Sequence, residues 1–234
     1  MFTERKECDL TVILPCLNES KTLGRVIKDA KAFILTNDID GEVLVCDNYS
    51  TDDSVKIAKS LGARVIKVYD RGYGNAVKTG FKYANGKYII VGDSDLSYDM
   101  YDLYDIYKGL CDGNDFVFGD RYKGFKIKGA SPFLHRYIGV PVLSYIARVR
   151  NNCDIHDFHC GKFGTKREFI NKLNIKSSGF EFTSEVFSKV TRRTNKYIQV
   201  PVTLYPDGRH RKPHLSTFRD GLRHLAMILF GISL

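Results

Sequence analysis

Short apolar runs alternate with amphipathic stretches through the first half of the chain. Residues 10–14 (LTVIL), 42–46 (EVLVC), 64–68 (RVIKV), 88–91 (YIIV) and 115–119 (DFVFG) each read as a strand. Leu23, Val26, Ile27, Ala30 and Ile34 recur at helical spacing and predict a helix over 21–35. Further helices are expected over 52–61, closed by Gly62, and over 75–83, ended by Asn85-Gly86. Strands alternating with helices of this length predict βαβ units, and so an α/β, Rossmann-like fold with a mostly parallel sheet flanked by helices. Past residue 120 the regularity fades. Residues 119–136 carry five Lys/Arg against one Asp, broken by Gly and Pro, and read as a basic loop. Helical patterns over 136–149 and 181–193, a strand over 197–205 and a second basic loop over 206–215 follow. Without an internal repeat, the expectation is one domain over 1–215 and a C-terminal amphipathic helix over 216–234.

Ligands of parallel α/β sheets bind at the carboxyl ends of the strands. Here those ends carry Pro15, Cys16, Leu17, Asn18 and Glu19, then Asp47 and Asn48, then Asp70, Arg71 and Gly72, then Asp93, Ser94 and Asp95, then Asp120 and Arg121. Asp, Asn, Ser and Gly favour turns and helix caps, which accounts for Ser50-Thr51-Asp52. It accounts poorly for carboxylates gathered at strand ends in a chain of net charge +9, with 36 Lys+Arg against 27 Asp+Glu. Two aspartates flanking one residue suit a hard divalent cation, Mg²⁺ or Mn²⁺, that leaves positions open for phosphate oxygens. The basic balance then points to an anionic partner.

Composition narrows the picture further. At 234 residues, 43% hydrophobic and 27% charged, the chain is globular and large enough for a substantial core. The N-terminus lacks the apolar core of a signal peptide, and six scattered cysteines without a repeated spacing suit reduced thiols in the cytoplasm. No stretch reaches a membrane span. Cys153, His156, Asp157, His159 and Cys160 crowd together but match no zinc-site spacing. The basic loop near Tyr122 interleaves aromatics with Lys and Arg, yet no nucleic-acid-binding motif accompanies it, and nucleic acid would not explain Asp93 and Asp95. No nucleic-acid partner is expected.

The ordered set TVILPCLNES, VLVCDNYSTDDS, DRGYGNAVKTG, YIIVGDSDLSYD and VFGDRYKG resembles the GT-A glycosyltransferases of family 2. Within them it is most similar to the polyprenyl-phosphate branch typified by dolichol-phosphate mannose and glucose synthases. The resemblance runs from about residue 10 to about residue 225. It implies a GT-A fold and inverting transfer of a hexose from a UDP- or GDP-linked sugar to a polyprenyl phosphate. Residue by residue it implies that Pro15, Leu17 and Glu19 wall the nucleotide pocket and that Asp47 meets the base. It places Gly72, Gly74, Asn75 and Ala76 along the nucleoside, where glycine permits close approach. Asp93, Ser94 and Asp95 would take the diphosphate, with Asp93 and Asp95 on the metal. Arg121 would meet phosphate, Asp157 would fall in a further motif, and Arg209, Arg211 and Lys212 would belong to a loop closing over the phosphates. Lys162-Phe163 depart from the family's usual Phe-Arg.

An acceptor phosphate is already ionised at neutral pH and needs no strong general base. Transfer to a sugar hydroxyl instead would need one, for which Asp157 is the candidate. In the C-terminal helix Thr217 and Asp220 form a capping-box-like start, and Phe218, Leu222, Leu225 and Leu229 share one stripe flanked by Arg219 and Arg223. A helix of this kind suits the surface of an anionic bilayer, so a peripheral position on the cytoplasmic side of a membrane is expected.

Overall fold

The computed structural model describes residues 7–100, 103–125, 127, 139–208 and 217–232. Its first half runs β1 (Cys8–Cys16), α1 (Leu23–Thr36), β2 (Gly41–Asp47), α2 (Ser54–Ser60), β3 (Arg64–Lys67), α3 (Tyr73–Tyr83) and β4 (Gly86–Val91). There follow α4 (Leu103–Cys111), β5 (Phe116–Asp120), α5 (Val140–Asn151), β6 (Phe163–Lys166), α6 (Arg167–Ile170), α7 (Phe182–Arg193), β7 (Tyr197–Pro201) and α8 (Thr217–Phe230). The seven strands form one sheet in the order β3-β2-β1-β4-β6-β5-β7. Pairing is parallel except along β6, which runs antiparallel to both β4 and β5.

Alternation along the central strands builds two cores, one on each face. Val12, Leu14, Val43, Val45, Tyr88 and Ile90 pack with α1 and α4 residues, including Val26, Ala30 and Ile106. Ile13, Leu44, Ile89 and Val91 pack on the other face with α3 and α7. There an aromatic cluster forms: Phe116 stacks on Phe163 at 5.1 Å, and Phe118 meets Phe187 edge-on at 4.7 Å. Helix α1 buries Leu23, Val26, Ile27, Ala30, Phe33 and Ile34, the stripe its spacing predicts.

The differences from the expected elements have local causes. Of the helix expected over 136–149, residues 136–138 lie outside the described residues, and α5 carries Pro141 in its first turn and runs on to Asn151. The strand expected over 197–205 ends at Pro201, after which Leu204 forms an isolated bridge to Tyr98 and backbone hydrogen bonds with Phe125 and Ile127. Helix α4 and strand β6 were not expected. Strand β6 has four residues and draws its stability from two flanking strands rather than from its own pattern. Its insertion between β4 and β5 carries residues 157–162 to the carboxyl end of β4.

Candidate active site

The loops after β1, β2 and β3 are laced together by side chains. Asn18, at φ 57°, donates its backbone N–H to Ser50 Oγ at 2.9 Å, and its Oδ1 accepts from Thr51 N at 2.7 Å. Glu19 N donates to Ser54 Oγ at 2.8 Å. Asn48 joins the next pair of loops, donating Nδ2 to Asp70 O at 3.1 Å and accepting from Gly72 N at 3.0 Å. Gly72 sits at φ 133°, a conformation open to glycine. A Cβ on Gly74 would lie 2.6 Å from Ser177 O and 2.9 Å from Phe182 Cβ. The close neighbour of this glycine pair is thus the chain's own 177–182 segment, which Glu185 holds by accepting from Ser177 N at 2.7 Å.

These loops enclose a cavity of about 370 Å³ whose lining includes Pro15, Leu17, Glu19, Gly72, Ala76 and the Asp93-Ser94-Asp95 run. Asn48 and Arg71 also line it. Asp47 does not: it is buried behind the wall and accepts from Ser50 N at 3.1 Å. Asn75 turns back along α3, donating to Arg71 O at 3.0 Å. Arg209, Arg211 and Lys212 lie outside the described residues.

At the end of β4, Ser94 donates to Pro15 O at 2.8 Å, and Asp95 Oδ1 accepts from Ser97 N at 3.0 Å and Ser97 Oγ at 2.5 Å. The next residue, Leu96, is held at φ 67°, a strained conformation for a leucine. Gly208 N donates to Asp95 O at 2.7 Å, so the segment after β7 braces this loop. A Cβ at Gly161 would stand 3.1 Å from Asp93 Oδ2, and its absence leaves that carboxylate room. Among the described residues no three His, Cys, Asp or Glu side chains converge as metal ligands. A pair of carboxylates lining a cavity suits a hard cation that completes its shell with phosphate oxygens.

A second cavity, of about 220 Å³, adjoins the first. Asp93, Tyr73 and Phe180 belong to both linings. Its lining includes Arg121, Tyr98 and Gly161, and also Val140 and Leu143 of α5. Arg121 is clamped by Asp157, Nε at 2.6 Å and Nη2 at 2.8 Å from the two carboxylate oxygens. Burial pushes the Asp157 carboxyl up, but the Arg121 charge and its hydrogen bonds outweigh it and hold the group below its ordinary value. Asp157 is therefore a fixed anion positioning Arg121 and is poorly placed to serve as a general base. Burial, with Asp93 adding to it, pushes the Tyr73 hydroxyl well up, so it stays protonated. That hydroxyl is buried without a partner among the described residues.

Asn48, Tyr73, Tyr98, His159, Phe180, Thr183, Asp220 and His224 line these cavities and were not singled out as site residues from sequence. Tyr73 carried a signal, a large aromatic between the glycines of DRGYGN. Asp220 and His224 carried another, two polar residues four apart and so on one face of the helix. His156 bonds Asp120 at 2.9 Å beside β7 instead.

A mostly parallel sheet whose strand ends present an Asp-X-Asp pair to a cavity defines a GT-A protein. The chain belongs to glycosyltransferase family 2: the sequence signature described as "Glycosyl transferase family 2" matches residues 11–173. It is 33% identical over 221 residues to the low-salt glycan biosynthesis hexosyltransferase Agl6 of Haloferax volcanii, covering 94% of this chain and 53% of that protein. It is 26% identical to the dolichol-phosphate mannosyltransferase of Pyrococcus furiosus, covering 94% and 63%. It is also 28% identical to a dolichyl-phosphate hexose transferase of H. volcanii, covering 86% and 85%. The chain thus spans about half the length of Agl6. Among solved structures, glucosyl-3-phosphoglycerate synthase of Mycobacterium tuberculosis, in complex with Mn²⁺, UDP and glucosyl-3-phosphoglycerate, superimposes with a TM-score of 0.76 at 21% identity, covering 95% of this chain and 79% of that one.

Proposed function

We propose that this protein transfers a hexose from a UDP- or GDP-linked sugar to a polyprenyl phosphate at a membrane surface. The observation that carries this reading is the meeting of two cavities at Asp93, one walled by strand-end loops and one lined by Arg121 together with the apolar Val140 and Leu143. A nucleoside diphosphate suits the first and the head of an isoprenoid phosphate suits the second. The dolichol-phosphate relatives and the UDP complex of the structural neighbour support the same pairing.

Asp93 and Asp95 would hold Mg²⁺ or Mn²⁺, which would neutralise charge developing on the departing diphosphate. The walls at Pro15, Leu17, Glu19 and Ala76 exclude water from the nucleotide, and Arg121, oriented by Asp157, offers its remaining N–H groups to phosphate. Arg209, Arg211 and Lys212 are proposed to close over the site. The acceptor phosphate oxygen attacks the anomeric carbon opposite the leaving nucleoside diphosphate, which inverts the configuration. Transfer to a sugar hydroxyl would need a base, and the clamp on Asp157 counts against the one candidate sequence offers. A peripheral position on the cytoplasmic side of a membrane is part of the proposal. No described helix is long and apolar enough to cross one.

The test is transfer by the purified protein from radiolabelled UDP-glucose or GDP-mannose, with Mn²⁺, to dolichyl or undecaprenyl phosphate in detergent. Label in a chloroform-soluble, mild-acid-labile product is expected. Label appearing only in water-soluble saccharide acceptors would overturn the lipid-phosphate reading.

A further inference from the structure

Helix α8 turns polar side chains inward and leucines outward. Its buried positions are Asp220 (1% exposed), His224, Met227 and Ile228, while Leu222 is 63% exposed and Phe230 72%. An amphipathic helix that packs only to cover a core turns its leucines inward and leaves Asp and His in water. Here the first two turns of the inward face are polar, and both polar residues line the second cavity together with Gly221.

The wall they form is held in place. His224 Nδ1 lies 2.8 Å from Ser184 Oγ, which lies 3.2 Å from His159 Nε2, and His159 Nδ1 lies 3.3 Å from Ser144 Oγ. Both serines are buried, and the two imidazole rings meet edge to face at 4.7 Å. Arg223, the neighbour of His224, is 3.4 Å from the buried Glu181 at the start of α7. Thr183 of α7 completes this side of the cavity.

The chemistry of the α7 and α8 side chains in this lining indicates the ligand they suit. Asp220, whose Oδ1 lies 3.8 Å from Arg219 Nε, joins His224 and Thr183 in a cavity that also holds the Asp157-paired Arg121. Carboxylate, imidazole and threonine hydroxyl together accept from and donate to alcohols. A sugar attached to a diphosphate at Asp93 would extend from the first cavity into this one.

We infer that Asp220, His224 and Thr183 read the hydroxyl groups of the hexose being transferred, so that the C-terminal helix takes part in selecting the sugar. This inference rests on the proposed sugar-nucleotide reading and goes beyond it by assigning α8 to the donor sugar rather than to the lipid. Asp220→Asn keeps the shape and removes the charge, and His224→Gln removes the ring. Gly221→Leu tests the same wall without touching a buried polar group. A Cβ there meets nothing within 4 Å, and leucine suits a helix.

Calorimetry would compare UDP with UDP-glucose and GDP with GDP-mannose, each with Mn²⁺, in parent and variants, alongside transfer kinetics. Affinity for UDP and GDP should stay within about twofold, since these lack the sugar. Affinity for the preferred sugar nucleotide, or kcat/KM for it, should fall about tenfold to a hundredfold, the loss of one charge-assisted hydrogen bond. Gly221→Leu should show the same selective loss with an unchanged melting temperature. If the folded variants bind and use sugar nucleotides like the parent while KM for polyprenyl phosphate rises, the wall serves the acceptor and the inference falls alone. If the parent binds neither UDP nor GDP in the presence of Mn²⁺, the proposed function falls and takes this assignment with it.

Discussion

Asp157 is fully buried, with its two oxygens committed to Arg121 at 2.6 and 2.8 Å. Removing one charge of such a pair strands the other, so Asp157→Asn should lose about 3–5 kcal/mol of stability in urea denaturation at pH 7. The pH dependence has a definite sign. The folded carboxyl titrates below its ordinary value, so its contribution is complete above about pH 5 and lost as the pH falls through the folded pKa. The gap between parent and variant should be flat from pH 8 to about 5 and narrow only below about 4. Asp95 is also buried, but it lines a cavity, and its carboxylate accepts from Ser97. Asp95→Asn should leave the melting temperature nearly unchanged and lower transfer by about a hundredfold or more, through lost stabilisation of the leaving diphosphate. Near-parental transfer by the Asn variant would remove Asp95 from the metal site. Asp95 follows β4 and Asp157 lies in the loop before β6, and their partners separate their roles.

Glycines set how closely elements approach. With Ser177 O 2.6 Å and Phe182 Cβ 2.9 Å from the position of a new Cβ, Gly74→Ala must push α3 away from the start of α7. Overpacking of this kind costs about 1–3 kcal/mol. Because the same contact braces the wall at Gly72, Tyr73 and Phe180, the variant should also bind UDP or GDP more weakly, measurable by calorimetry beside thermal unfolding. Unchanged nucleotide affinity in a destabilised variant would show that α3 and α7 pack independently of the pocket. Helix α3 was legible from its periodicity and its glycines, but the identity of what the glycines approach was not. The neighbour comes from a loop about a hundred residues downstream, and local pattern carries no trace of it.

At the scale of the molecule, α5 and α8 pack together and leave an apolar outer face: Val142, Tyr145 and Val149 on α5, Leu222, Leu229 and Phe230 on α8. Arg150 and Arg219 are exposed on the same two helices. Sequence pointed to Leu222, Leu225 and Leu229 as one stripe. In the structure Leu222 and Leu229 are exposed and Leu225 is half-buried, and the side chain of Phe218 lies outside the described residues. If this face meets lipid, each large side chain contributes about 1.5–3 kcal/mol on burial. Val149→Glu and Leu222→Glu should each cut co-sedimentation with acidic liposomes by about tenfold or more at an unchanged melting temperature. Binding that survives both substitutions would move the membrane contact to the basic segments.

Sequence alone determined the alternating strands and helices, the mostly parallel sheet and the acidic strand ends. A buried parallel strand such as residues 10–14 must be apolar on both faces, and its end must break into turn residues, so these features are written locally. Tertiary structure alone decided the rest. Strand β6 exists because two strands flank it, and its four residues could not announce it. Its antiparallel entry sets Gly161 against Asp93 and Asp157 against Arg121. The facing of α8 was equally undecided by pattern, since leucines lie on one side and a polar pair followed by Met227 and Ile228 on the other. Packing against α5 and α7 chose the side with Asp220 and His224, because that side completes a cavity with buried hydrogen-bond partners and the leucine side has none.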